Sequence, residues 1–501
     1  MKPAEFLLVA VLAIPALGAL AVAAIPVDRV ARLVGTVAAG LTLLATVPLA
    51  GGEHAWSGGL PRPAVQPWHQ LDLPWVPGLD LRFHLGVDGI SWPLVVLTAL
   101  LTLLCCGYTL WRVPEGGGSG RALVALLLVV EVGILGTFLA LDLVLFFLFF
   151  EVVLLPMYAI IAGWGGEDRR RAARKFVLYT LFGSVLLLVG AYVVVAAAGT
   201  ADIATLTGGG GLSRGTQLAA FALLAVAFAV KSPLWPLHSW LPDAHTQAPT
   251  VGSVVLAGVL LKMGTYGLIR VAVGVAPEGA RWAAPVLGVL AVAAILVGSL
   301  VCLAQDELKR LIAYSSVGHM GFVLLGVATL TTTGLQAALI GNIAHGVITG
   351  LLFFLAGAVK DRTHPGALVD LSGLRETAPR LAGLLGFAAI ASLGLPGLAG
   401  FWGEAFAVIA AVRRGGPLWT TLAVLAALGG ALTAAYFLRL LRQVTHGRPS
   451  PVVGRLAPGL AGAELTAWAP LVLLALAVGL APALVLGYAS APVDALVGVL
   501  K

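Results

Sequence analysis

Six ionisable side chains stand inside long apolar runs: Glu151 in LFFLFFEVVLLPMY, Lys231 in AVAFAVKSPLWP, Lys262 in VVLAGVLLKMGTYG, His319 in YSSVGHMGF, His345 in GNIAHGVITG and Glu404 in GFWGEAF. Holding one charge at the centre of a bilayer costs about 3 kcal/mol on insertion scales, so such residues are rarely kept without a use. Desolvation works against the charged form of both acids and bases, which lets buried lysine and glutamate approach neutrality. Histidine titrates near physiological pH and can carry a proton through its two ring nitrogens. Any one of the six alone reads as an interhelical hydrogen bond. Six at similar depth in successive runs read as a proton relay. In that relay Glu151 would tune Lys231, since a nearby carboxylate holds a lysine charged and its withdrawal releases the proton. Lys262 would hand the proton on laterally, His319 and His345 would bridge, and Glu404 would give the exit.

A second tier surrounds these. Glu131 and Asp142 sit near a run interior and in a short turn. His238, Asp243 and His245 lie in a polar elbow, PLHSWLPDAHTQAP, and would either line an entry or cap the run that follows. Asp88 in GVDGIS reads as a helix N-cap or loop anchor. Asp306, Glu307, Lys309 and Arg310 read as a solvated loop.

The elements that must position these residues are membrane helices. Uncharged stretches long enough to cross a core of ~30 Å recur from end to end. Fourteen spans are expected near 4–25, 31–50, 88–111, 122–141, 143–163, 175–197, 217–236, 250–271, 283–304, 309–330, 334–359, 381–411, 417–440 and 466–489. The run from Phe6 to Ile25 reads as a retained helix. Residues 51–87 form a long loop rich in Pro, Gly and Trp. Two spans are interrupted: the seventh at Pro233 and Pro236, the twelfth at Pro396 among glycines, because proline removes a backbone donor and clashes with the preceding turn. The breaks occupy corresponding places in spans 4–8 and 9–13. Paired broken helices point to two inverted five-helix repeats with an ion path at the breaks. The expectation is an all-α polytopic membrane protein forming one transmembrane domain. It comprises helices 1–3 (1–121), a first repeat (122–271), a second repeat (283–445) and helix 14 (466–489).

Composition agrees. The chain of 501 residues is 59% hydrophobic and 11% charged, with mean hydropathy +1.01, against about a quarter charged in soluble domains. The runs are too long and too uniform for barrel strands. The net charge of +7 does not imply nucleic acid, because the basic residues lie in short loops. Sorted by side, nineteen Lys and Arg fall on the face holding Arg169–Lys175, nine on the other, and Lys231 and Lys262 inside. The positive-inside rule makes the basic face cytoplasmic and puts both termini on the opposite side. Cys105, Cys106 and Cys302 lie in or beside apolar runs and read as core residues, with no metal-type spacing. No phosphate loop, dinucleotide fingerprint or Ser/His/Asp arrangement is present, so no cofactor or metal is expected on this chain.

The segment PLHSWLPDAHTQAPTVGSVVLAGVLLKMGTYGLIR closely resembles the signature of the antiporter-like membrane subunits of respiratory complex I and of multisubunit cation/proton antiporters. FFEVVLLPMY, YSSVGHMG and GLPGLAGFWGE resemble the same family's blocks, and the likeness covers roughly residues 80–445. It implies Glu151 as the family's key glutamate, Lys231 as its broken-helix lysine, Lys262 as its central lysine, His319 and His345 as its bridging histidines and Glu404 as its exit residue. Glutamate rather than lysine at 404, and a chain that stops soon after span fourteen, resemble the M-type chain of NADH–quinone oxidoreductase. The resemblance further implies proton translocation in a bacterial-type inner membrane, beside L- and N-like neighbours. NADH, FMN, iron–sulfur clusters and quinone would belong to partner subunits. A subunit of a cation/proton antiporter, the membrane arm of a hydrogenase and a non-pumping anchor are the competing readings.

Overall fold

The computed structural model describes residues 2–51, 65–114, 117–363, 366–455 and 460–500. Among them, thirteen helices are long and apolar enough to cross a membrane. The pair Pro379–Ser392 and Ala399–Arg414 occupies the place of the expected twelfth span. Three helices form the centre. Thr250–Val273 is wholly enclosed by protein, and Leu308–Ala328 and Thr332–Thr363 nearly so, whereas Pro3–Ala24 and Arg169–Ala198 turn much of their apolar surface outward.

Lipid is as apolar as leucine, so helix association depends on close packing of small residues. Gly341 and Gly403 meet where Thr332–Thr363 crosses Ala399–Arg414; a Cβ on Gly403 would lie 2.7 Å from the Gly341 Cα. Gly264 performs the same service beside the first break, where a Cβ would meet the backbone of Phe228 and Ser232.

Both proline breaks are present. Helix Arg214–Lys231 stops at Lys231. The Ala229 carbonyl, which an α-helical residue 233 would have satisfied, accepts from Leu234 N–H instead, and the Trp240 indole donates to the Val230 carbonyl at 3.0 Å. The chain resumes as Trp240–Gln247. The second break runs from Ser392 to Ala399, where Gly394 and Gly397 adopt φ of 80° and 93° on either side of Pro396, a left-handed conformation that only glycine takes at no steric cost.

Three features depart from the expected organisation. Part of the loop 51–87 is an antiparallel hairpin, His69–Val76 paired with Leu81–Val87; residues 52–64 of that loop lie outside the described residues. The last span is Gly462–Leu480, closed at Ala481–Pro482 and followed by a separate helix Ala483–Gly498, rather than one helix over 466–489. Thr250–Val273 contains two π-helical turns, Leu256–Leu260 and Leu268–Val273, on either side of Lys262. Such wider turns free backbone carbonyls and cluster at functional sites.

Candidate functional site

Four of the six residues form one connected array. Lys262 is fully buried, and its Nζ donates to the Ala257 carbonyl, five residues back on the π-helical turn, and contacts His345 Nδ1 at 2.6 Å. The rings of His345 and His319 lie 5.8 Å apart, centroid to centroid, at an interplanar angle of 63°. His319 Nδ1 is 2.9 Å from Glu404 Oε1, and its Nε2 is 3.0 Å from Ser392 Oγ. A cavity of about 30 Å³ is lined by His319, His345, Ser392 and Glu404. That is room for one water with several polar partners, enough to join the two rings.

While Lys262 carries its charge it donates and cannot accept, so His345 Nδ1 accepts from it and the ring's own proton sits on Nε2. Among the described residues that nitrogen has no partner. A proton passed from Lys262 to Nδ1 therefore lets another leave from Nε2, and the ring need not turn over.

The other two residues form a separate cluster at the first break. Glu151 accepts from Ser184 Oγ, which also donates to the Thr180 carbonyl at 3.1 Å. Lys231 is 2% exposed, with its Nζ 4.5 Å from the centre of the Phe150 ring. Glu151 acts on Lys231 electrostatically, yet among the described residues no acid comes within 4 Å of this lysine. Its place in the last turn of Arg214–Lys231 suits a cation, because the helix dipole is negative there.

Residues 140–430 match the family model described as NADH:quinone oxidoreductase/Mrp antiporter, TM. The chain belongs to this family. Among its relatives, the NADH-quinone oxidoreductase subunit M of Rhodobacter capsulatus is 39% identical over 470 residues, covering 91% of this chain and 88% of that one. The NAD(P)H-quinone oxidoreductase chain 4 1 of Synechococcus sp. strain JA-3-3Ab is 44% identical over 382 residues, 75% of this chain and 72% of that one. A chain in the structure of respiratory complex I from Thermus thermophilus with bound NADH superposes with a TM-score of 0.87 at 32% identity, covering 99% of this chain and 100% of that one. All six ionisable residues, the four of the array and the two at the first break, lie within the span matched by the family model.

The second tier separates under the same scrutiny. Glu131 is buried, and among the described residues neither of its carboxylate oxygens has a hydrogen-bond partner. Asp142 is an N-cap, accepting from Val144 and Leu145 N–H. Asp243 does not cap the eighth helix; it pairs with Lys175 Nζ at 2.6 Å on the basic face. His245 is fully buried, stacked on Phe353 at 4.4 Å, and among the described residues neither ring nitrogen has a hydrogen-bond partner. His238 lies half-buried near Tyr314. The loop reading fails for Lys309, which is 5% exposed and donates to the Ala248 carbonyl at 3.0 Å. Asp88 does bond Ile90 and Ser91 N–H, but its other oxygen pairs with Arg270, a buried arginine that the loop sorting had placed outside.

Sequence reasoning missed Ser184, Ser392 and Asn342. Asn342 accepts from Thr265, one helical turn from Lys262, at 2.9 Å. Serine and asparagine are common at helix crossings, so no sequence signal singles these out. A polar residue one or two turns from an ionisable one on a facing helix is the pattern to look for.

Proposed function

We propose that this chain is a proton-translocating membrane subunit of an NADH–quinone oxidoreductase, of the M type, moving protons through its buried Lys, His and Glu. The observation that carries the reading is the direct Lys262–His345 contact of 2.6 Å, continued through His319 to Glu404 around a shared cavity. Each contact joins a group able to give a proton to one able to take it. Glu151 and Lys231, close but unbonded, form the adjustable end of the path. The paired breaks support two inverted five-helix repeats. The arginine-rich face is cytoplasmic in this reading, with both termini opposite and L- and N-like subunits as neighbours.

Moving a charge against the membrane potential costs ~2.3 kcal/mol per 100 mV. The work comes from electron transfer in partner subunits, which also hold NADH, FMN, iron–sulfur clusters and quinone. Redox steps elsewhere shift the Glu151–Lys231 pair, and the shift changes whether Lys262 gives up its proton to His345.

The test is Lys262→Met in the native membrane, with assembly checked on a native gel. NADH-driven pumping should fall by at least about 100-fold, the order of a lost general acid–base group. Parental pumping in an assembled complex would sink the assignment. The antiporter reading shares the family description; it gains if deleting this chain leaves NADH–quinone activity intact but abolishes cation/proton exchange.

A further inference from the structure

The arginine-rich face holds a vestibule of about 450 Å³ that shares no lining residue with the cavity of the array. Three cations line it: Arg112, Lys309 and Lys360. Of the two acids in its wall, Asp361 is taken by Arg112 at 3.3 Å, and Glu167 is exposed to solvent. Among the described residues no carboxylate lies within 4 Å of the Lys309 or Lys360 ammonium. Lys309 is buried, and its Nζ donates only to the Ala248 carbonyl at 3.0 Å, a neutral acceptor. A buried charge with no opposite partner is costly. Uncharged donors converge on the same space. The helix Thr250–Val273 starts there, with Pro249, Thr250 and Val251 in the wall. Pro249, its N-cap, offers the first turn no side-chain bond, and open N–H groups at a helix start attract anions. Tyr108 also lines the vestibule. It is 3% exposed, and among the described residues its hydroxyl has no hydrogen-bond partner. Ammonium and backbone N–H groups only donate, and a hydroxyl can. Donors without acceptors are the complement of an oxyanion.

We propose that this vestibule binds a phosphate-type oxyanion, free phosphate or the headgroup of an anionic lipid, among Lys309, Lys360, the Tyr108 hydroxyl and the start of Thr250–Val273. The anion supplies the counter-charge that Lys309 lacks and the acceptor that Tyr108 lacks. Its oxygens point several ways, so one group joins donors from four helices: Trp92–Trp111, Thr250–Val273, Leu308–Ala328 and Thr332–Thr363. Tyr108, Lys309 and Lys360 do not line the cavity of the array, so the site stands independently of the proton path.

The test uses the assembled complex purified in an uncharged detergent, with radiolabelled inorganic phosphate as the probe in equilibrium dialysis. Phosphate sites in partner subunits are common to parental and variant complexes and cancel in the difference. Lys309→Gln keeps a donor for the Ala248 carbonyl and removes the charge. It should weaken binding by at least about thirty-fold, as removal of one member of a buried charge pair does. Tyr108→Phe should weaken it by about ten-fold, the worth of a hydrogen bond to a charged group. Lys360→Gln, at a half-buried position, carries the same test if Lys309→Gln does not assemble. A lipid occupant gives a different result: free phosphate binds all complexes alike, while phosphatidylglycerol is retained at about one per chain in the parental complex and is depleted in Lys309→Gln and Tyr108→Phe. Equal phosphate binding together with equal lipid retention in all complexes overturns the proposal. So does phosphate binding that falls in Lys309→Gln but keeps its parental Kd in Tyr108→Phe, since surface charge rather than the vestibule would then hold the ion.

Discussion

The two helix breaks carry the same kinds of group in opposite states. At the first, Glu151 is occupied by Ser184 and Lys231 lies over Phe150, with no ion pair between them. At the second, His319 and Glu404 are in direct contact at 2.9 Å, and Ser392 holds the other face of the ring. An acid and a base held apart respond to a small displacement, because at short range their attraction changes steeply with distance. An acid and a base already joined pass a proton without rearrangement. On the proposed relay, the first break senses and the second conducts.

Substitutions at the two breaks test this division. Breaking the conducting side comes first: His319→Ala removes both contacts of the ring, and assembled complex should lose NADH-driven pumping by about 100-fold or more. Any residual above one-tenth of parental would mean the proton bypasses the ring. Glu151→Gln removes the sensing charge while keeping a partner for Ser184. Pumping and quinone-dependent NADH oxidation should fall together by about ten-fold, and a drop in pumping with unchanged oxidation would show that the first break does not set turnover. Ser184→Ala sharpens the contrast. It frees Glu151 to approach Lys231 and should alter the rate by only about two- to five-fold, the worth of one hydrogen bond near 1 kcal/mol; Ser392→Ala, by loosening an existing contact, should cost more than Ser184→Ala.

The smallest expected effect lies outside the membrane core. Asp202 is 2.8 Å from His84 on the hairpin. Burial pulls its carboxyl upward, but hydrogen bonds from His84 and Thr205 outweigh burial and leave it below the usual carboxylate value. A depressed carboxyl stabilises the folded protein above its unfolded value, near pH ~4, and that contribution is lost as pH falls through the folded value. The melting temperature of detergent-solubilised protein should therefore drop on acidification below about pH 4, and Asp202→Asn should flatten that drop. An unchanged acid limb in the variant would refute the assignment.

The membrane helices and both breaks were legible because hydrophobic run length and proline act locally. So were the positions of the six ionisable residues inside apolar runs, since a charge in an apolar run stands out without any partner in view. What stayed hidden depends on contacts between distant segments. Lys309 sits in QDELKR and looks solvated until the Ala248 carbonyl closes over it. Arg270 lies near a helix end, and only its pairing with Asp88 shows that it is inside. The π-helical turns around Lys262 carry no proline or glycine signature distinct from those of ordinary membrane helices. The hairpin was obscured by Pro74 inside its first strand, since proline argues against a strand.

That hairpin gives the molecule two mechanically different ends. It is sewn to its neighbours by main-chain bonds: Leu141 N–H to the His84 carbonyl at 2.9 Å, and Ile203 N–H to the Leu141 carbonyl at 2.8 Å. The arginine-rich end has main-chain bonds too, such as Leu368 N–H to the Asp306 carbonyl at 2.7 Å, but adds half-exposed charge pairs such as Lys175–Asp243, Arg112–Asp361 and Arg439–Asp306. At molar ionic strength the screening length shrinks to about 3 Å, which weakens exposed pairs and leaves backbone ladders untouched. The hairpin carries an exposed pair of its own, Arg82–Asp72, but its strand ladder does not depend on it, so salt should quicken amide exchange around Lys175 more than in the hairpin.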